Sequence, residues 1–170
     1  MNVEPHSYKD GLREGVVFLL VDAVGQVLLE CRPDNHGTFT DIFYPSGSIE
    51  LRDQADPQSD YREVALRREI AEEFRGGVEV EHVRYLGDVK ALAIGLVFYV
   101  YWIASWSGDP GSHTYEDGAP FGELRWLPLD EVTRVNGYDS TAEMTKMLRE
   151  ALSSSHDASG RASSSSLPSN

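Results

Sequence analysis

The stretch "REIAEEF", residues Arg68 to Phe74, crowds three glutamates and an arginine into seven positions. At about 100° per residue on an α-helix, Glu69 projects between Glu72 and Glu73, so the three carboxylates share one face. Val64, Ile70, Ala71 and Phe74 take the opposite arc. Like charges at this spacing cost the helix roughly a few tenths of a kcal/mol per pair, and in its C-terminal half they also oppose the helix dipole. Something must compensate. A cluster of hard oxygen ligands on a rigid helix is what Mg²⁺ or Mn²⁺ accepts, above all when substrate phosphates complete the coordination. The alternative is a solvated acidic face.

Upstream, Asp60 followed by Glu63 has the form of a capping box, so the helix is predicted from Asp60 to about Phe74, with Gly76 and Gly77 available to end it. Before it come "IFYPSGSIE" (residues 42–50), broken by Pro45, Ser46 and Gly47, and a loop, "RDQADPQS" (residues 52–59). Earlier still, "EGVVFLLVDAVGQVLLECR" reads as a hairpin of two strands, Gly15 to Val21 and Gln26 to Cys31, turned at Gly25. "VEVEHVRYLGDV" and "GLVFYVYWIASW" are rich in β-branched and aromatic residues and read as sheet strands, divided near Lys90 or Gly95. A short strand "ELRWLPL" and a short helix "LDEVTRV" follow. "STAEMTKMLREAL" reads as a long helix with a capping box at Ser140 and Glu143. The rest, serine-rich with almost nothing to bury, is expected to be a disordered tail over residues 153–170, leaving one domain over 1–152.

Composition agrees with one ordinary domain: 170 residues with 41% hydrophobic content are enough for a core. Lone Cys31 excludes a disulfide framework within the chain, and the polar start "MNVEPHSYKDGLREG" lacks the apolar stretch of a signal peptide, so a cytoplasmic location is expected. The longest apolar run, Ala91 to Ala104, falls short of the roughly 20 residues that span a bilayer, and no membrane association is expected. Fifteen basic against 28 acidic residues give a net charge of −13, which repels nucleic acid. A phosphate substrate would then need bridging divalent cations. The five histidines show no ligand spacing, and no Gly-x4-Gly-Lys loop is present.

Taken together, "YPSGSIE" after a strand, a loop, an acidic residue and then "REIAEE" resemble the Nudix box: Gly, five residues, Glu, seven residues, then Arg-Glu-aliphatic-x-Glu-Glu-x-Gly. "REIAEE" matches its most discriminating portion, and the flanks "LLECRP" and "ELRWLPLDEV" are similar too, so the resemblance runs from about Gly15 to Leu152. Two departures stand out. Only Asp53 has the family's spacing from Gly47 and only Asp60 its spacing to Arg68, so about seven residues are inserted; the fixed helical distance to Arg68 favours Asp60. Arg75 occupies the place of the closing glycine.

The resemblance implies an α/β/α sandwich with a mixed β-sheet, and hydrolysis of a diphosphate by water attack on phosphorus with Mg²⁺ or Mn²⁺ as cofactor. It implies Glu69, Glu72 and Glu73 as metal ligands or water-activating residues, the Gly47 carbonyl as a metal ligand, and a structural role for Arg68 and Asp60. It also implies Arg32 as a phosphate contact and Glu116 or Glu123 as a carboxylate from a loop opposite the helix. Phe39, Phe43 or Tyr44 could stack on a base. The expected substrate is a small nucleoside triphosphate or other nucleoside diphosphate derivative, and a homodimer is compatible with the reading. A Nudix-fold sensor that binds a nucleotide without turnover is the alternative; intact glutamates argue against it. The inserted loop, roughly Ser48 to Ser59, is expected to govern substrate choice more than chemistry.

Overall fold

A computed structural model describes residues 5–34, 36–37 and 39–162. In chain order the elements are β1 (Tyr8–Lys9), β2 (Leu12–Leu19), β3 (Gln26–Pro33), β4 (Phe39–Phe43), β5 (Ser46–Ser48), α1 (Tyr61–Glu73), β6 (Val78–Ala91), β7 (Leu96–Gly108), β8 (His113–Glu116), β9 (Ala119–Pro128), α2 (Val132–Val135) and α3 (Asp139–Ala162). Runs of Val, Ile, Phe and Tyr build β2, β6 and β7 because branched and aromatic side chains pack well on a pleated surface.

The larger sheet is mixed, as expected. Its order is β1-β2-β7-β6, with β2 parallel to β7 and the short β5 antiparallel to β2. A second, antiparallel sheet runs β4-β3-β9-β8. The expected hairpin of β2 and β3 does not form as a ladder. The two strands diverge into different sheets and stay joined near the turn by a Val21–Val27 bridge, with bonds from the Leu28 amide to the Leu20 carbonyl and from the Asp22 amide to the Gln26 carbonyl. Both edges of β2 are taken, one by β7 and the other by β1 and β5.

Two cores lie on the two faces of the larger sheet. Val16, Phe18, Tyr99 and Tyr101 pack with Leu66, Ile70 and Phe74 of α1 and its end. Val17, Leu19 and Val100 pack with Met144 and Leu148 of α3. Fully burying a Leu or Ile side chain such as Leu66 or Ile70 contributes about 1.5–3 kcal/mol, which is what anchors α1. The buried stripe of α1 is Ala65, Leu66, Glu69 and Ile70. Val64 and Ala71, placed on the apolar arc from sequence, are exposed, and Glu69 stands on the border of the core.

Helix α3 starts differently from the sequence reading. Ser140 lies within its first turn, and the Asn136 side chain accepts from the Tyr138 amide at 2.8 Å, in place of a Ser140–Glu143 capping box. It also ends later. Among the described side chains Ala151 is the last that is buried, yet the helix continues to Ala162 into the segment expected to be a disordered tail, with Ser153 to His156 exposed. Adding a residue to an existing helix gains one hydrogen bond per residue fixed, and no proline interrupts this stretch. Residues 163–170 lie outside the described residues.

Candidate active site

The site is built where α1 crosses β5. Val16 of β2 pairs with Gly47, and the bare Gly47 lies directly under Glu69: a Cβ there would stand 2.1 Å from the Glu69 carboxyl carbon. No other residue type leaves room for that carboxylate. Glu69 is 9% exposed, and burial, with Glu72 and Glu50 adding negative charge against the opposing Arg68, raises its pKa to about 7.

Arg68 gathers the surrounding groups. Its Nε and Nη2 donate to the two oxygens of Asp53 at 2.8 and 2.9 Å, and Nη2 also donates to the Ser48 carbonyl at 3.0 Å. Its Nη1 donates to Glu69 at 2.8 Å and to Glu72 at 3.2 Å. Burial works against the guanidinium charge, but the Asp53 and Glu69 carboxylates outweigh it and raise the Arg68 pKa. Asp53 is likewise held low: the Arg68 hydrogen bonds and the Glu50 amide overcome its burial. Asp53, therefore, and not Asp60, meets Arg68. Asp60 caps α1, accepting from the Arg62 amide at 3.0 Å, and pairs with the Arg62 side chain. The insertion thus falls after Asp53, within residues 54–60.

At the end of α1, Glu73 enters a second acidic cluster. Burial and then the charge of Glu30 push its pKa well up; Arg32 opposes, while Glu69 and Glu116 add to the rise. Its Oε2 is buried and has no hydrogen-bond partner. Glu30, 1% exposed on β3, is bound by the Arg32 Nε, and Arg32 Nη2 reaches the Ser46 carbonyl at 3.3 Å, next to Gly47. Arg32 thus stands beside Gly47. Glu116 on β8 is within electrostatic reach of both Glu73 and Arg32. Glu123 is not. It pairs across strands with Cys31, which puts it on the face of β3 opposite Glu30, and it bonds Arg125 instead.

The chain stops α1 without the family's glycine. Arg75 itself takes φ 50, a left-handed conformation that costs an ordinary residue about 1–2 kcal/mol, and its guanidinium lies 4.6 Å from the Tyr115 ring centroid. Gly76 follows at φ 72, its amide bonded to the Ala71 carbonyl.

A cavity of about 610 Å³ opens from Gly47 and Arg32 along the α3 face of the larger sheet, lined by Val17, Phe98, Phe43, Tyr138 and Met144 among others. Phe43 and Tyr138 stack with ring centroids 5.8 Å apart at 22°. Tyr44 is core, with its hydroxyl 2.7 Å from Thr145 Oγ1 and its pKa pushed by burial to about 12. The Phe39 side chain lies outside the described residues. Of the loop expected to govern substrate choice, Ser48 lines the cavity and residues 54–60 do not.

Sequence reasoning missed Glu30 and Tyr138. Glu30 had a signal: it is the one carboxylate inside the apolar run "VLLEC", two residues from Arg32 and therefore on the same strand face. Tyr138 had none, because its pairing with Phe43 spans the whole fold.

Among the described residues, no three His, Cys, Asp or Glu side chains stand together at metal-holding spacing, and arginines hold several of these carboxylates. The donor chemistry nevertheless fits a hard cation. Glu69, Glu72 and Glu73 offer carboxylate oxygens, and the buried Glu73 Oε2 has nothing else to meet.

A NUDIX domain family model matches residues 11–148. The chain belongs to the Nudix family. Its members are hydrolases of phosphoric anhydride bonds, and this chain is an enzyme of that class. The fold is shared with the MutT NUDIX hydrolase of Burkholderia pseudomallei, at 24% identity and TM-score 0.58 over 79% of this chain and 96% of that one. It is shared with an ADP compounds hydrolase, at 14% identity and TM-score 0.61 over 84% and 74% of the two chains. The NUDIX domain of Shewanella oneidensis NrtR, solved in complex with ADP ribose, is similar at 21% identity and TM-score 0.56 over 89% and 94%. No curated protein matches this Nudix chain by sequence. Among its described residues no helix is long and apolar enough to cross a membrane.

Proposed function

We propose that this Nudix chain is a cytoplasmic Mg²⁺- or Mn²⁺-dependent pyrophosphohydrolase of a nucleoside triphosphate or other nucleoside diphosphate derivative. Glu69, Glu72, Glu73 and the Gly47 carbonyl would hold the cation. When bound, it would neutralise phosphate charge and lower the pKa of a water. The observation that carries this reading is the Glu73 Oε2, buried without a partner among Glu30, Glu69 and Glu116. A carboxylate so placed is costly unless a cation completes the site.

The chain's own groups divide the remaining work. Arg68, tied to Asp53 and Ser48, orients Glu69 and Glu72. Glu69, held by Arg68 against Gly47, is placed to orient or deprotonate a water. Arg32, held by Glu30 beside Gly47, is positioned for phosphate oxygens. The Phe43–Tyr138 pair offers a flat apolar surface for a base.

The test is incubation with Mg²⁺ and a broad panel of diphosphate compounds, with products identified by mass, for the wild type and for Glu72→Gln and Glu73→Gln. Loss of about a hundredfold or more in turnover in each folded variant supports the reading. Near-normal turnover in both, or binding without turnover in the wild type, overturns it, the latter in favour of a sensor.

A further inference from the structure

Four arginines of the described chain are half-buried, namely Arg13, Arg32, Arg62 and Arg68. Arg32 is paired with Glu30, Arg62 with Asp60, and Arg68 with Asp53 and Glu69. Among the described residues Arg13 alone of these has no carboxylate within ion-pair distance. Its Nε is buried with no hydrogen-bond acceptor. Leaving such a donor unmet costs about 1–3 kcal/mol, and more for a charged group. In a chain of net charge −13, a half-buried guanidinium without a carboxylate partner is out of keeping with the other half-buried arginines.

Strand alternation says where it points. Arg13, Gly15 and Val17 lie on one face of β2 and pair with Leu96, Phe98 and Val100 of β7, whose last two members belong to the core beneath α3. That is the cavity face, and Arg13, Gly15, Val17, Leu96 and Phe98 all line the cavity. The neighbouring carboxylate, Glu14, lies on the opposite face, where the hydroxyls of Ser7, Tyr61 and Tyr99 donate to it. The carboxylate at the α3 end of the cavity, Asp139, forms no ion pair with Arg13 among the described residues.

We propose that Arg13 is a second anion site of this cavity, taking a phosphate or carboxylate of the substrate remote from the scissile diphosphate. The proposal rests on the hydrolase reading and narrows it to diphosphate compounds that carry a further ionised group. Three strand residues, about 10 Å, separate Arg13 from Val16, whose partner is Gly47 at the glutamates. A diphosphate held at the glutamates is therefore a different ion from the one Arg13 meets. A guanidinium suits either ion, because its planar donors match two oxygens at once.

The test is calorimetric binding of two matched pairs in Ca²⁺: ADP-ribose with ADP-ribose 2′-phosphate, and UDP-glucose with UDP-glucuronate. In at least one pair the charged member should bind the wild type about tenfold or more tightly, and the pair that shows it identifies phosphate or carboxylate as the ion. Arg13→Gln should erase that preference without weakening the member that lacks the further ionised group, and Arg13→Lys should keep part of it. Melting temperatures of both variants check that they fold. Equal binding within both pairs, no binding of either charged member, or a preference that survives Arg13→Gln overturns the proposal. Failure of the hydrolase reading shows separately, as a charged member bound through Arg13 yet not cleaved with Mg²⁺.

Discussion

Arg68 holds Asp53 through two near-parallel hydrogen bonds of 2.8 and 2.9 Å, clamping the turn after β5 to the middle of α1. Asp53 is 3% exposed, so removing either partner strands a charge where water reaches it poorly. Arg68→Ala and Asp53→Asn should each destabilise the fold by about 3 kcal/mol, lowering the melting temperature by roughly 6–12 °C. Asp60→Asn, which keeps a capping side chain, should change it by less than about 2 °C. Thermal melts of the three variants read this directly, and a larger loss at Asp60 than at Asp53 would reverse the assignment of the box aspartate.

Glu69 gives a pH dependence of defined sign. Its folded pKa, about 7, lies above the 4.5 of an unperturbed glutamate, so between those values the folded state binds more protons than the unfolded chain. The contribution of Glu69 to stability is therefore fully present below pH 4.5 and is lost as pH rises through about 7, by an amount on the order of 3 kcal/mol. Glu73, also raised, acts in the same direction. Asp53, held low, loses its contribution only as pH falls below its ordinary 3.8, outside this window. Metal-free melts of wild type and Glu69→Gln from pH 4.5 to 7.5 should diverge, the wild type losing stability and the variant losing less. Parallel curves would contradict the burial of Glu69.

Gly47→Ala should act as a lesion of Glu69. The new methyl would overlap the Glu69 carboxyl, 2.1 Å away, while nothing in the chemistry of residue 47 itself is altered. Turnover should fall by about a hundredfold, and combining Gly47→Ala with Glu69→Gln should add little further loss, because both remove the same group from its place. Multiplicative losses in the double variant would show that Gly47 acts independently.

Truncation after Leu152 removes a stretch of helix whose described side chains, Ser153 to His156, are exposed. Met144 and Leu148, which anchor α3, are retained. The melting temperature and turnover should both stay within error of the full chain, with only a small loss of helical circular dichroism. A drop of more than about 5 °C would mean that the last turns make contacts worth more than about 1 kcal/mol.

The motif around Arg68 was legible in the sequence because helix periodicity is local: residues three and four apart share a face wherever the helix is placed. The same holds for Gly47, which a nearby motif marked, and for the Asp60 cap. What periodicity could not supply was partners. Asp53 and Asp60 each carry a plausible spacing, and only the 3-10 turn over Leu51–Gln54 brings the first of them onto Arg68. Glu30 and Glu73 are brought together by packing between α1 and the second sheet. Glu116 and Glu123 looked equivalent in sequence, and strand register alone turned one toward Glu73 and the other away. Nothing in the sequence marks Arg13. Its buried Nε and its lack of a carboxylate partner among the described residues arise only once β2, β7 and α3 enclose a cavity, because ion pairing is set by distances of a few ångström between segments that the chain order keeps far apart.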